Sequence, residues 1–228
     1  MLEITLIPRD EAWLHSGEVA VPLEIVFSEN AVEIQYYPSA KPIVDEFLEK
    51  FGASVDSLFS ADAVSWANKS FGDFLEPYGF ELSPDSESVY LNYTIGKSNG
   101  DAPDFVRRII GNESYNDLTD TDIGGLADAG YIIYAAVVGD DIVALANTGV
   151  PITADTEHEV EIGVDTAKEH RRQGYGRACI TALVNELSKM GYTAIYECAE
   201  NNSASVGLIK SLGGELVFRK FYIVGFKN

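Results

Sequence analysis

The sequence predicts an α/β protein of the α+β kind, and three observations carry that expectation. Segments with strand-like alternation and segments with helical spacing of apolar residues follow one another along the chain. A glycine-rich loop at residues 171–178 joins one strand pattern directly to an amphipathic helix. The chain has 228 residues, 46% of them hydrophobic, which is enough for one large or two small cores.

The first 36 residues read as β-rich. Residues 1–7 form a short strand-like run ending at Pro8-Arg9-Asp10, and Val19–Phe27 and Ala31–Tyr37 are clear strands by their β-branched and aromatic content. Helical spacing then takes over. Ile43, Val44, Phe47, Leu48 and Phe51 fall on one face of a helix that Gly52 ends, and Val64, Trp66, Ala67, Phe71, Phe74 and Leu75 fit one or two more. The aromatic residues there, with Tyr78 and Phe80, read as core rather than as a ligand cage. Leu82–Ser88 gathers turn formers and charges without apolar periodicity, so it reads as a linker, dividing an N-terminal α+β module (1–87) from a second domain (88–228).

In the second domain Ser88–Ile95 reads as a strand and Ala102–Ile110 and Thr119–Ala129 as two helices. Tyr131–Val138 and Ile142–Asn147 form a hairpin across Gly139-Asp140-Asp141. His158–Thr166 is a strand running into the glycine loop. Beyond the loop, Ile180, Leu183, Val184, Leu187 and Met190 lie at helical spacing up to a Gly191 stop. Thr193–Cys198 is a strand, residues 202–212 a short capped helix stopped by Gly213, and Glu215–Arg219 and Phe221–Phe226 are two closing strands.

The loop itself, Arg171-Arg172-Gln173-Gly174-Tyr175-Gly176-Arg177, is the most informative stretch. Glycine lets an anion approach the backbone, and the unpaired N–H groups opening the next helix point at it. Arg171, Arg172 and Arg177 add charge, so the loop reads as a pyrophosphate cradle. A dinucleotide site would need G-x-G-x-x-G with an acidic residue about 20 positions on, and a triphosphate loop G-x-x-x-x-G-K-[ST]; the loop has neither spacing.

The order strand, R-x-x-G-x-G, helix, strand, N-x-x-S-x-x-L helix and Leu-Gly resembles the GCN5-related N-acetyltransferase (GNAT) superfamily. The resemblance implies a mixed, mainly antiparallel central sheet flanked by helices. It also implies acetyl-coenzyme A as cofactor, without metal, and transfer of acetyl to a primary amine. By the same resemblance, Arg171, Arg172, Gln173, Gly174, Tyr175, Gly176 and Arg177 hold the pyrophosphate. The backbone of a splayed strand at Ile162, Val164 and Thr166 meets the thioester arm, as do Asn202 and Ser205. Glu161 in Glu-Ile-Gly-Val is the expected base, with Glu159 as the alternate on the same strand face. Where many members carry a tyrosine that protonates the thiolate, this chain has Ile209. That leaves Tyr196 or Tyr222 as the acid, an unassisted departure, or a coenzyme A-binding sensor or scaffold without catalysis. Residues 1–87 match no family by their motifs; a substrate-shaping module, a degenerate second acetyltransferase-like half and an interaction surface all stay open.

Charge bounds the partners. The formal net charge is −20, which disfavours nucleic acid and anionic membrane surfaces. No lysine or arginine occurs between Ile109 and Ala167, after which Lys168, Arg171, Arg172 and Arg177 arrive together. An acidic body with one basic island suits an anionic cofactor and a small cationic acceptor, although acidity also serves solubility alone. Without a leader-like segment or a run of about 20 apolar residues, a cytoplasmic location is expected, with a homodimer left open. Cys179 and Cys198 read as packed thiols, and His15, His158 and His170 form no metal-ligand spacing.

Overall fold

The structure, a computed structural model, describes residues 2–97, 100, 102–111 and 123–227. In chain order the elements are β1 (Glu3–Pro8), α1 (Trp13–Ser16), β2 (Val19–Ser28), β3 (Ala31–Tyr36), α2 (Lys41–Phe51), α3 (Val55–Leu58), α4 (Ala61–Leu75), β4 (Phe80–Leu82) and β5 (Val89–Ile95). There follow β6 (Val106–Arg108), α5 (Ile123–Asp128), β7 (Ile133–Val138), β8 (Asp141–Thr148), β9 (Glu159–Thr166), α6 (Tyr175–Met190), β10 (Thr193–Ala199), α7 (Ser203–Ser211) and β11 (Glu215–Lys227). The chain divides into two compact units: Met1–Asn92 with Cys198–Ser203 and Leu216–Asn228, and Tyr93–Glu197 with Ala204–Glu215.

In the first unit β1 runs parallel to β3, β3 antiparallel to β2, and β2 antiparallel to β11, which also pairs with β4. Alternation along β2 and β3 turns Leu23, Ile25, Val32 and Ile34 to one face, where they meet Val44 and Phe47 of α2 and Ala67, Phe71 and Leu75 of α4. Ser60 caps α4 by accepting from the Ala63 N–H at 3.2 Å, and Gly52 ends α2 by donating to the Leu48 carbonyl at 2.8 Å. Each fully buried Phe or Leu in this core contributes about 1.5–3 kcal/mol. Trp66, Phe74 and Tyr78 pack around its edge, so the aromatic residues of this segment are core.

In the second unit β6, β7, β8 and β9 pair antiparallel in succession, and β10 joins β9 in parallel. The Gly139-Asp140 turn closes the β7–β8 hairpin, with Gly139 at φ 66°, the left-handed region where glycine carries no steric penalty. Helix α6 lies on this sheet through Cys179, Ile180, Leu183, Val184 and Leu187. Gly191 at φ 89° closes it. Both units are therefore mixed, mainly antiparallel sheets with helices packed against them. Among the described residues no helix is long and apolar enough to cross a membrane.

Two sequence expectations are corrected. Residues 102–110 do not form a helix: Val106–Arg108 is a strand paired with Tyr134–Ala136. The open edge of β7 offers backbone partners, and that tertiary pairing overrides the local helical spacing. The two closing strands are one, β11, with a register irregularity between Ile223 and Gly225. Nothing at Lys220 breaks the extended chain, whereas a Cβ on Gly225 would meet Leu75 Cδ1 at 2.9 Å, so the irregularity falls where backbone and helix approach closely. The expected helix over 119–129 is seen as Ile123–Asp128, its first residues lying outside the described ones.

Candidate active site

Strand β9 pairs with both neighbours, but along different lengths. Its parallel pairing with β10 runs from Glu159–Thr193 to Glu161–Ile195 and stops there, while pairing with β8 continues to Thr166. The Glu161 carbonyl accepts from the Gly149 N–H at 2.7 Å, and the Ala167 N–H donates to the Val143 carbonyl at 2.9 Å, so odd-numbered residues turn their backbone groups toward β8. By alternation, Ile162, Val164 and Thr166 turn theirs toward β10, where pairing has ended beyond Ile162. The Thr166 N–H is taken by its neighbour's Asp165 Oδ1 at 2.7 Å, and its carbonyl accepts from Arg171 Nε at 3.1 Å. Val164 is left facing the opening.

The loop after β9 is built to present N–H groups. Arg172 has φ 61° and Gly174 φ 88°, two left-handed residues that bend the chain around a concave backbone. The first helical bond of α6 is from Ala178 N–H to the Gly174 carbonyl at 3.0 Å. Among the described residues none accepts from the N–H groups of residues 172–177. A Cβ on Gly174 would meet nothing within 4 Å, so the space over this backbone is open. On Gly176 a Cβ would stand 2.8 Å from Thr166 Oγ1 and 3.3 Å from Val164 Cγ2. The two glycines thus do different work: Gly174 supplies the left-handed turn, and Gly176 lets the helix start close to β9.

The three arginines are not equivalent. Arg171 is held to the end of β9, Arg177 donates to the Ser211 carbonyl at the end of α7 at 3.3 Å, and neither they nor Arg172 has an ion-pair partner among the described residues. Gln173 Nε2 donates to the Glu169 carbonyl at 3.0 Å, and Tyr175 meets Phe105 and His170 edge-on at 5.3 and 5.9 Å. Together with the helix dipole, this arrangement fits a bound pyrophosphate, and the opening beside Val164 fits an extended arm leading from it.

The remaining sequence candidates fall in several places. Glu159 and Glu161 are exposed on β9, on the strand face opposite Val164 and Thr166. Asn147 faces Gly163 in the β8–β9 ladder, with its Oδ1 3.4 Å from where a Cβ on Gly163 would stand, so its amide shares the face of Glu161. Sequence reading missed Asn147, because only the register of β8 against β9 puts it there. Ser205 Oγ lies 3.4 Å from Tyr196 Oη, which brings one arm-contact candidate beside one acid candidate. Asn202 is exposed at the head of α7. Tyr222 belongs to the first unit, its ring stacked on Tyr90 at 5.4 Å with Lys220 Nζ at 5.3 Å. Ile209 is fully buried, and its Cγ2 stands 2.4 Å from where a Cβ on Gly214 would lie. Among the described residues no group of three or more His, Cys, Asp or Glu is placed to hold a metal.

Strand β9 parts from its parallel neighbour β10 and runs into a loop whose N–H groups at 172–177 meet no acceptor among the described residues before α6 begins. Residues 127–221 match the family described as GNAT acetyltransferase, which supports a GNAT domain in the C-terminal part of the chain. Among solved structures, the chain is similar to a GNAT-family acetyltransferase from Colwellia psychrerythraea, at 17% identity over 68% of this chain and 60% of that one, with a TM-score of 0.47. A GNAT-family protein from Novosphingobium aromaticivorans DSM 12444 matches at 15% identity over 66% and 68%, TM-score 0.46. A GCN5-related N-acetyltransferase-like protein from Streptococcus suis 89/1591 matches at 14% over 93% and 85%, TM-score 0.45. No curated protein matches the chain.

Proposed function

We propose that the chain is a cytoplasmic N-acetyltransferase acting on the primary amine of a small cationic metabolite, with acetyl-coenzyme A as its cofactor. The observation that carries this reading is the run of unanswered N–H groups at residues 172–177 at the foot of a splayed strand. When bound, acetyl-coenzyme A supplies an activated acetyl thioester. The N–H groups of 172–177, with the charges of Arg171, Arg172 and Arg177, hold the phosphates, and Gln173 and Tyr175 line the same loop. The backbone of Ile162, Val164 and Thr166 and the side chain of Ser205 orient the arm. Glu161 accepts the acceptor ammonium's proton at a carboxylate oxygen, directly or through one water, with Glu159 as the alternate. Asn147 orients the amine beside Glu161. Tyr196 Oη, next to Ser205, holds the proton that neutralises the departing sulfur. The net charge of −20 favours a cationic acceptor at long range.

Ile209 favours a second reading. Its buried aliphatic side chain cannot donate a proton, so a coenzyme A-binding sensor or scaffold without turnover also fits the cradle. Thiol release from acetyl-coenzyme A against polyamines, aminoglycosides, amino acids and short peptides, with cofactor binding measured calorimetrically in the same samples, separates the two. Release with one amine class supports the transferase. Tight binding without release supports the sensor, and no binding overturns both.

A further inference from the structure

The first unit contains a cleft of about 450 Å³, open on one side, that the acetyl-transfer reading does not use. Its volume is that of a small-molecule site. Phe59, Val64 and Val89 give it apolar walls, Glu87 and Glu200 supply its only charges, and Ser65, Asn68, Ser88 and Asn201 are its neutral polar groups. All its lining residues belong to the first unit, and none is a lysine or arginine.

The charged groups are both acidic, and the Asn68 amide presents its oxygen. Asn68 uses its Nδ2 twice, donating to the Val64 carbonyl at 2.9 Å and the Ser86 carbonyl at 2.6 Å. Both amide hydrogens are therefore committed, and what Asn68 offers a ligand is its oxygen. Glu200 accepts from Arg219 at Oε2, at 2.6 Å, which leaves Oε1. Glu87 is exposed and has no ion-pair partner among the described residues. The aromatic wall is already used by one cation, since the Arg219 guanidinium lies 4.7 Å from the Phe59 ring centroid. One full negative charge, one half-neutralised charge, an amide oxygen and apolar walls select an organic ammonium ion with a hydrophobic body over a neutral or anionic compound.

We propose that this cleft binds such an ammonium ion, as an amine site separate from the acceptor position beside Glu161. Binding here needs no cofactor, so it stands or falls independently of acetyl transfer. The rival occupant is an anion drawn by Arg219, whose Nε is buried without a partner.

The experiment is calorimetric titration of the full chain, without acetyl-coenzyme A, with 2-phenylethylammonium, the neutral 2-phenylethanol and the anionic 3-phenylpropionate. Expected is saturable binding of the ammonium alone, weakened by salt. Glu87→Gln should weaken it about tenfold, the loss of one charge-assisted contact. Ala61→Phe, a filling change at an exposed cleft residue that leaves the core untouched, should abolish it. Equal binding of the alcohol, preference for the carboxylate, or no binding at all overturns the proposal. So does ammonium binding that is indifferent to Glu87→Gln and Ala61→Phe but lost in Glu161→Gln. That last result would place the amine at the acceptor position and leave the transferase reading intact.

Discussion

Two turn-rich segments of similar look, Leu82–Ser88 in the first unit and Thr166–Arg177 in the second, treat their backbone groups in opposite ways. In the first, Ser86 Oγ accepts from the Val224 N–H at 2.9 Å and donates to the Val224 carbonyl at 3.2 Å, while the Ser83 N–H donates to that carbonyl at 2.9 Å. The Ser83 hydroxyl accepts from the Asp85 N–H, and Asn68 holds the Ser86 carbonyl. In the second, successive N–H groups from 172 to 177 meet no acceptor among the described residues, and two residues sit at positive φ. The first segment closes its own hydrogen bonds and holds a fold together. The second leaves them open at the surface, where water or an anion can take them.

The sharpest way to break this contrast is a charge in the open segment. Gly174→Asp places a carboxylate where a Cβ meets no protein atom, so the fold has little to lose beyond about 1 kcal/mol for the left-handed backbone. Coenzyme A affinity should nevertheless fall by about 100-fold or more, equivalent to roughly 2.7 kcal/mol. Gly174→Asn, equally tolerant of positive φ but uncharged, should lose much less. Calorimetry on the pair checks it; equal losses would mean that shape rather than charge decides the cradle.

Glu161→Gln comes next and separates binding from chemistry within the second unit. Turnover at neutral pH should drop about 100-fold with an unchanged coenzyme A dissociation constant, because the amide is isosteric but accepts no proton. A wild-type rate across pH would remove Glu161 from the mechanism and turn attention to Glu159.

Ser86→Ala is the reverse experiment. It leaves the buried Val224 N–H and carbonyl without the hydroxyl that serves both, at a cost of about 1–3 kcal/mol in unfolding free energy. Cofactor affinity should not move. Denaturant melts with parallel binding assays test it, and an unchanged midpoint would show that water replaces the hydroxyl.

The contrast between the two segments was only half legible in the sequence. Serine, proline and acidic residues at 82–88 suggested a linker, because the partner that makes the segment structural, Val224, lies more than a hundred residues away in the chain. The glycine loop was readable because its chemistry is local: spacing, glycine and the helix start are all contiguous. Strands β2 and β3 and helices α2 and α4 were readable for a similar reason, since periodicity and the Gly52 stop are printed in neighbouring residues. Residues 102–110 were misread as a helix because their strand is imposed by the edge of β7. Asn147 and the end of β9–β10 pairing depend on register between strands, and no single strand encodes that.

The smallest effect concerns the two thiols, one in each unit. Cys179, on α6 in the second unit, is fully buried, and burial pushes its thiol up to about 12 from an ordinary value of 9.0. Cys198, in the first unit, is 7% exposed. A thiolate-selective reagent at pH 8 should therefore label Cys198 first, with Cys179 reacting only as its surroundings open. Because the unfolded thiol ionises above about pH 9 while folded Cys179 keeps its proton, stability should decline as pH rises from 9 toward 12, and Cys179→Ala should flatten that part of the decline. Labelling rates of the single-cysteine variants Cys179→Ala and Cys198→Ala, followed through a denaturant series, then report the opening of each unit separately. Distinct slopes would mean that the ligand-ready second unit opens without the first; a common slope would mean that the closed hydrogen bonds around Ser86 and the open ones around Gly174 are lost in one cooperative step.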